Sequence, residues 1–282
     1  MITVLEVIKK TADFLASKGV DSPRLNAETL VGHALNLTRM KLYLQFERVL
    51  TEEELEVIRP LVRRRSQREP LQYILGHVDF SGLKLKVDKR ALIPRPETEY
   101  LIEKIKYKLD SKSPVNILDL GTGSGAIALA LAKHFSEAYI TAVDASENAL
   151  ALTTDNIQSL GFSERVKPVL STWFDSVPPH STFDLIISNP PYLTLLEVSQ
   201  AMPEVNKFEP HSALIADEQG LKDIKTILSE AKAYLAPQGL IALETGENQH
   251  EAIKIMASSY GFTQFQSEKD LAGKDRYVFI AI

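Results

Sequence analysis

The residues best suited to chemistry are Asn189-Pro190-Pro191-Tyr192, which directly follow the apolar run Phe183–Ser188. The run has the length and composition of a buried strand. At the carboxyl end of that strand, the four residues place a side-chain amide, two proline carbonyls and an aromatic ring at a sheet edge. This combination suits a planar –NH2 group, since the oxygens accept its hydrogens and the ring packs on its plane. Taken alone, the motif also fits a rigid turn after a strand.

A glycine-rich loop follows another predicted strand, and we expect it to bind a nucleotide. Glycine lets the backbone turn sharply, and the helix that begins after the loop leaves N–H groups free. Asp119 would repel a pyrophosphate but attract a cationic amino-acid group. Asp144, which ends the next predicted strand, is placed to bind ribose hydroxyls. The predicted contacts of the loop are Gly121, Thr122, Gly123, Ser124 and Gly125.

The loop and its two acids favour S-adenosylmethionine (SAM) as the cofactor, with NAD or another nucleotide as the alternative. In an open parallel sheet the ligand-binding loops gather at the carboxyl edge, so the SAM methyl would face the Asn189 amide. Hydrogen bonds from a substrate –NH2 group to the Asn189 side chain and the Pro190 carbonyl would aim the nitrogen at that methyl. Tyr192 would pack its ring on the planar substrate.

The elements that must position these residues fall into three parts. Residues 1–75 predict a helical domain, with capping boxes at Thr3/Glu6 and Thr51/Glu54 and an N-cap at Ser22 before Pro23. Residues 76–93 alternate apolar and polar side chains, which predicts a linking β-hairpin. Residues 94–282 alternate strands with helices, which predicts a mostly parallel sheet covered on both faces. The predicted strands are 115–120, 139–143, 166–170, 183–188 and 240–244, followed by a hairpin over 263–282.

Composition excludes several classes of protein. The 282 residues include no cysteine, so disulfides and thiolate sites are excluded. No stretch is long and apolar enough for a membrane span and no secretory signal is visible, so we expect a cytoplasmic protein. The net charge of −5 disfavours direct nucleic-acid binding. Scattered histidines predict no metal site. The basic cluster Arg63–Arg65 with Arg68 fits a solvated helix end, or a docking patch for an acidic or RNA-bound partner.

The motifs together resemble one family over nearly the whole chain. These are Pro70–Gly76, Leu92–Glu99, Asp119–Gly125, Asp144, Ser188–Tyr192 and Asp270–Arg276. They are similar to the release-factor glutamine methyltransferases (HemK-type protein-(glutamine-N5) methyltransferases). The segment Ile93–Glu99 distinguishes this family from adenine methyltransferases, which share Asn-Pro-Pro-Tyr but do not generally carry the segment.

The resemblance implies a fold and an activity. The fold would be a Rossmann-like, seven-stranded methyltransferase sheet with an N-terminal helical domain for substrate recognition. The activity would be SAM-dependent methylation of the glutamine in the Gly-Gly-Gln motif of peptide chain release factors, by a monomer. Gly121–Gly125 and Asp144 would hold SAM, Trp173 would lie near the adenine, and Asn189–Tyr192 would bind the glutamine amide. Family members often carry an acid where this chain has Thr172, which leaves the adenine contact open.

Two other functions are compatible with the sequence, and four side chains each allow two interpretations. A nucleic-acid adenine-N6 methyltransferase would share SAM and Asn-Pro-Pro-Tyr, and a SAM-binding adaptor would leave the catalytic corner idle. Arg95 and Glu97 either shape the substrate entrance or pair with each other. Glu244 is either functional or a strand-end acid in solvent, and Trp173 is either core or a ligand contact.

Overall fold

The computed structural model describes residues 2–109 and 114–282, which form two compact units. The first contains the described residues up to His77 together with Met202–Phe208, and the second contains the rest. The predicted boundaries placed Met202–Phe208 with the methyltransferase domain. Within the described ranges, no helix is long and apolar enough to cross a membrane.

The first unit is helical. Its helices are α1 (Val4–Ser17), α2 (Pro23–Ala34), α3 (Arg39–Tyr43), α4 (Glu52–Ser66) and α5 (Leu71–Leu75), with α10 (Pro203–Phe208) added from later in the chain. Both predicted capping boxes form, at Thr3 and at Thr51. Ser22 occupies the predicted N-cap position before Pro23, but its backbone is left-handed and its side chain makes no capping hydrogen bond. The Asn26 side-chain amide donates to the Ser22 carbonyl.

Three of the four cations in the basic cluster are ion-paired, whereas Arg63 in the last turn of α4 is exposed, so the docking-patch alternative stays a prediction. Arg65 and Arg68 both donate to the Glu204 carboxylate of α10, at 2.8 and 2.6 Å. Arg64 pairs with Glu69 at 2.6 Å. Sequence alone could not show this, since Glu204 lies more than 130 residues away along the chain.

The second unit is built on a seven-stranded sheet, and the linking hairpin and closing hairpin both form as predicted. Its strands are β1 (His77–Phe80), β2 (Leu83–Lys86), β3 (Asn116–Leu120), β4 (Tyr139–Asp144), β5 (Val166–Leu170), β6 (Phe183–Ser188), β7 (Leu235–Glu244), β8 (Gln264–Lys269) and β9 (Asp275–Ala281). Its helices are α6 (Pro96–Leu109), α7 (Ala126–His134), α8 (Glu147–Leu160), α9 (Leu195–Gln200), α11 (Asp217–Gly220), α12 (Lys222–Ala231) and α13 (His250–Ser259), with a 3₁₀ turn at His211–Ala213.

Apolar side chains cover the sheet on both faces, because successive residues of a strand point to opposite sides. Ile117 packs in the core under α6, α7 and α8, whereas its neighbour Leu118 packs in the core under α12 and α13. This confirms the predicted Rossmann-like sheet with helices on both faces.

The strand order places the two candidate motifs side by side. The order is β5-β4-β3-β6-β7-β9-β8, so the chain starts at β3, moves outward through β4 and β5, then returns to β6 on the other side of β3. Leu120 pairs in parallel with Ser188 at the ends of β3 and β6. The glycine loop and Asn189 therefore leave neighbouring strands at the switch point, where ligands of open α/β sheets bind.

Candidate functional site

A cavity of about 480 Å³ opens at this switch point. Six predicted residues line it directly, namely Gly121, Thr122, Gly123, Ser124, Asp144 and Trp173, and Asn189 and Pro191 line it from the β6 side. Four others do not line it: Asp119, Gly125, Pro190 and Tyr192. The structure thus brings most of the predicted residues to one cavity and places these four outside its lining.

The glycine loop takes a backbone conformation that favours glycine. Gly121, Gly123 and Gly125 have φ of 72°, 60° and 80°, in the left-handed region. A side chain at Gly125 would also come within 3.0 Å of Thr153. Gly125 therefore shapes the start of α7, although it does not line the cavity.

Asp119 lies underneath the loop. Its carboxylate is fully buried and accepts hydrogen bonds from the Thr122 hydroxyl at 2.6 Å and the Ala128 amide at 3.2 Å. Both contacts use Oδ2, and Oδ1 has no hydrogen-bond partner among the described residues. Burial raises the pKa of Asp119 to about 7. In this position Asp119 fixes the loop from below.

Asp144 is held by backbone groups alone. Its Oδ2 accepts from the Gly123 amide and its Oδ1 from the Ser146 amide, both at 2.9 Å. Burial raises the pKa of this carboxyl, while the backbone hydrogen bonds oppose the rise. Each carboxylate oxygen has further lone pairs, so a half-buried acid at the cavity wall can still accept from hydroxyl groups.

Trp173 contributes a flat apolar surface to the cavity and is only partly buried. Its backbone has φ 46°, a left-handed conformation that costs a non-glycine residue on the order of 1 kcal/mol. A Cβ added to Gly121 would lie 3.7 Å from the indole ring, so the ring sits close over the loop. The next residue, Phe174, is buried core and stacks on Tyr234. Of these two neighbouring aromatic residues, Trp173 has the strained backbone and is also the one that lines the cavity.

The Asn189 side chain is held by residues from two other elements. Its Nδ2 donates to the Thr98 hydroxyl of α6 at 3.1 Å. The Thr98 hydroxyl in turn donates to Glu244 Oε2 at 2.6 Å. Glu244 ends β7 and is 1% exposed, so the interpretation of it as a strand-end acid in solvent is wrong. Thr98 carried no recognisable sequence signal for this contact.

Tyr192 turns its hydroxyl away from the cavity. That hydroxyl donates to Glu244 Oε1 at 3.2 Å, and the Arg276 guanidinium lies 5.8 Å from the ring centre. Burial raises the pKa of Tyr192, so the phenol stays protonated and can donate. Burial likewise raises the pKa of Glu244, against the opposing effects of Thr98, Arg276 and Tyr192.

The segment Ile93–Glu99 is fixed by contacts far along the chain. Arg95 donates to both carboxylate oxygens of Glu209 at 2.7 Å, so the alternative of an Arg95–Glu97 pair is wrong and a role at the substrate entrance stays a prediction. The Glu97 carbonyl accepts from the Tyr277 hydroxyl, and the Glu99 carboxylate accepts from the Ser81 amide. These contacts anchor the first turn of α6, which carries Thr98 to the cavity.

The sheet, the switch-point cavity and the glycine loop define this unit as a methyltransferase domain. A family model described as "Methyltransferase domain" matches residues 111–277. A solved 16S rRNA N2 G1207 methyltransferase from T. thermophilus, in complex with AdoMet and guanosine, shares the fold with a TM-score of 0.53 and 19% identity, over 73% of this chain and 49% of its own.

The remaining similarity is to one particular family. The "PrmC N-terminal domain" model matches residues 6–76. The release factor glutamine methyltransferase of Rhodopirellula baltica is 38% identical over 97% of this chain and 94% of its own length. That of Geobacter sulfurreducens is 40% identical over 98% and 95%. The chain belongs to the release factor glutamine methyltransferase family.

Proposed function

We propose that this protein transfers the methyl group of SAM to the side-chain nitrogen (N5) of the glutamine in the Gly-Gly-Gln motif of peptide chain release factors. One observation carries the proposal: the Asn189 amide and the glycine loop meet in one cavity, at the ends of neighbouring strands. The protein would act as a cytoplasmic monomer, consistent with a chain that contains no cysteine.

The residues around the loop fit SAM. Asp144 offers acceptor oxygens for the ribose hydroxyls, and the exposed face of Trp173 offers a surface on which adenine can stack. The left-handed glycines let the loop backbone approach the amino-acid part of the cofactor. The buried Oδ1 of Asp119, which has no partner among the described residues, lies beneath the loop. Burial raises the pKa of Asp119 to about 7, and a bound cationic group would favour its charged form. Bound SAM would supply an electrophilic methyl group on a positively charged sulfur.

The acceptor side would hold the glutamine amide. An amide nitrogen is a weak nucleophile, because its lone pair is delocalised into the carbonyl. Asn189 Oδ1 and the Pro190 carbonyl would accept the two N–H hydrogens and fix the nitrogen in line with the methyl group. As the new C–N bond forms, the bond between the methyl group and sulfur would break, with its electron pair left on the sulfur. The nitrogen gains positive charge, which the same oxygens stabilise through its N–H groups, and it then loses one N–H proton to solvent. Pro191 lines the cavity beside Asn189 and would exclude water. The contribution of these residues is orientation and preorganised dipoles.

Two observations favour a protein glutamine over an adenine base. The net charge is −5, whereas binding of a phosphate backbone relies on a basic surface. In addition, two cations of the basic cluster, Arg65 and Arg68, are ion-paired with Glu204 and are therefore less available to phosphates.

The test is methyl transfer from labelled SAM to three separate acceptors: a purified release factor, duplex DNA and RNA. We expect label on the release factor, and mass spectrometry should place it on the glutamine of Gly-Gly-Gln. A release factor in which that glutamine is replaced by alanine is the matched control and should remain unlabelled. Label on DNA or RNA alone would support the adenine-N6 alternative and end this proposal.

A further inference from the structure

The side chains of Glu244, Thr98 and Asn189 form a chain of hydrogen bonds that ends at the buried Glu244 carboxylate. The reaction proposed above assigns no role to this carboxylate. We propose that Thr98 and Glu244 are positioning residues that set which end of the Asn189 amide faces the substrate. This inference rests on the proposed function and assigns the roles of two further residues in it. The three side chains come from α6, β7 and the end of β6 and are joined by two short hydrogen bonds, of 2.6 and 3.1 Å.

The direction of the chain follows from the hydrogen-bonding capacity of each group. A carboxylate oxygen without a proton can only accept. Thr98 has one hydroxyl proton, and it donates that proton to Glu244 Oε2. The Thr98 hydroxyl can therefore only accept a hydrogen bond from Asn189, so the Asn189 side chain must present its Nδ2 amide –NH2 group to Thr98. The amide is planar, and its Oδ1 then points away from Thr98, free to accept from the glutamine –NH2 group.

Reversal of the chain would disable the site. If Glu244 Oε2 carried a proton, it could donate to Thr98, and Thr98 would then donate to Asn189 Oδ1. The amide would turn over and present its own –NH2 to the substrate –NH2, where two donors face each other and no hydrogen bond forms. Unionised Glu244 therefore corresponds to an inactive orientation, and the Glu244 carboxylate corresponds to the active one.

The surroundings of Glu244 hold it in place from three directions. The charged and titratable groups that face it are Glu97 from α6, Tyr192 after β6, and Arg276 and Tyr277 from β9. Tyr192 donates to Oε1 and so leaves Oε2 to Thr98. Arg276 favours the charged form, whereas Glu97 and burial favour the neutral one.

The decisive variant is Thr98→Val, which keeps the shape of the side chain and removes the hydroxyl. We expect kcat for release-factor methylation to fall about 100-fold, the loss typical when one preorganised polar contact is removed from a reacting group. The KM for the release factor, the dissociation constant of SAM and the melting temperature should remain within a few-fold or a few degrees of the wild-type values. Thr98→Ser, which restores the hydroxyl, should recover most of kcat.

The dependence of kcat on pH distinguishes orientation from mere packing. In the wild-type enzyme kcat should rise with pH as Glu244 loses its proton, in a range above the ordinary glutamate value because burial raises its pKa. Thr98→Val cuts the connection to Asn189, so this rise should disappear from the residual activity. Thr98→Ser should retain it.

Thr245→Val is the matched control. Thr245 follows Glu244, is fully buried and bonds His250, but it does not contact Asn189. Its kcat should stay within about threefold of wild type. Retention of kcat in Thr98→Val, or a loss explained by weaker SAM binding or a lower melting temperature, would overturn the inference. If wild-type protein transfers no methyl to the release factor, the proposed function has failed instead, so the two failures are distinguishable.

Discussion

Two strands that flank the switch point both end in an acid, and the two acids are held in opposite ways. Asp144 ends β4 on the proposed cofactor side and, among the described residues, accepts from the backbone N–H groups of Gly123 and Ser146. Glu244 ends β7 on the proposed acceptor side and accepts there from the side-chain hydroxyls of Thr98 and Tyr192. Strand order places β4 and β7 symmetrically around the β3–β6 pair.

The difference shows how each half of the site is built. The proposed cofactor half is held at the backbone of the glycine loop. Asp144, Thr153 and Asn156, which lie 21 to 32 residues away along the chain, hydrogen-bond the backbone of Gly123 and Ser124. The proposed acceptor half is assembled from the side chains of Thr98, Glu244 and Asn189. Thr98 lies 146 residues from Glu244 and 91 residues from Asn189 along the chain, so a substitution of Thr98 or Glu244 changes the hydrogen bonds that hold Asn189. The following predictions test whether the halves are separable, from the largest expected effect to the smallest.

Asn189→Ala should remove transfer and leave cofactor binding intact. Without the amide oxygen the glutamine nitrogen is no longer aimed, so kcat should fall about 1,000-fold. The measurements are single-turnover methylation of the release factor and calorimetric titration with SAM. The dissociation constant of SAM should change by only a few-fold. A parallel loss of SAM binding would show that the two halves are not separable.

Asp144→Ala should have the converse effect. Loss of charged hydrogen bonds to the ribose costs about 1.5–3 kcal/mol, or roughly 10- to 100-fold in SAM affinity. At saturating SAM, kcat should recover to within about tenfold of wild type. A kcat loss that saturating SAM does not restore would contradict the division between the halves.

Asp119→Asn should alter stability more than chemistry. The pKa of Asp119 is about 7 in the folded protein against an ordinary 3.8, so the folded state holds this proton more tightly than the unfolded chain. The resulting stabilisation is complete below about pH 3.8 and is lost as the pH rises to about 7. The variant should therefore show a flatter dependence of the free energy of unfolding on pH, by up to roughly 4 kcal/mol across that window, at about 1.4 kcal/mol for each pKa unit. Urea titrations at pH 4, 5.5 and 7 measure this pH dependence. If its slope is the same in the variant and the wild type, a group other than Asp119 takes up the proton.

The elements of the fold were largely predictable, because their signals are local. Strands β5 and β6 have the predicted bounds, and both capping boxes lie within four residues of sequence. Ser22 holds the predicted N-cap position but makes no capping bond, since its left-handed backbone differs from the extended conformation typical of N-cap residues. The start of β7 was placed at Leu240 and lies at Leu235, since the polar residues Gln238 and Gly239 interrupt the apolar run.

Partners of charged side chains were poorly predictable. A pair between Arg95 and Glu97 was one of two alternatives, but Arg95 binds Glu209, and Arg65 and Arg68 bind Glu204. Of the two alternatives for Glu244, an acid in solvent is wrong because the side chain is buried. A charge pattern along the chain shows which groups need partners, whereas the identity of each partner depends on chain segments that only the folded chain brings together.

The sequence alone determined the chemistry of the site: an amide and proline carbonyls after one strand, and a glycine loop and an acid after two others. These signals are local, since backbone conformation and strand ends depend on neighbouring residues. Only the tertiary structure decided the direction in which the Asn189 amide points. That direction depends on a hydroxyl from α6 and a buried carboxylate from β7, and a hydrogen-bond chain has a polarity only when all of its members are in contact.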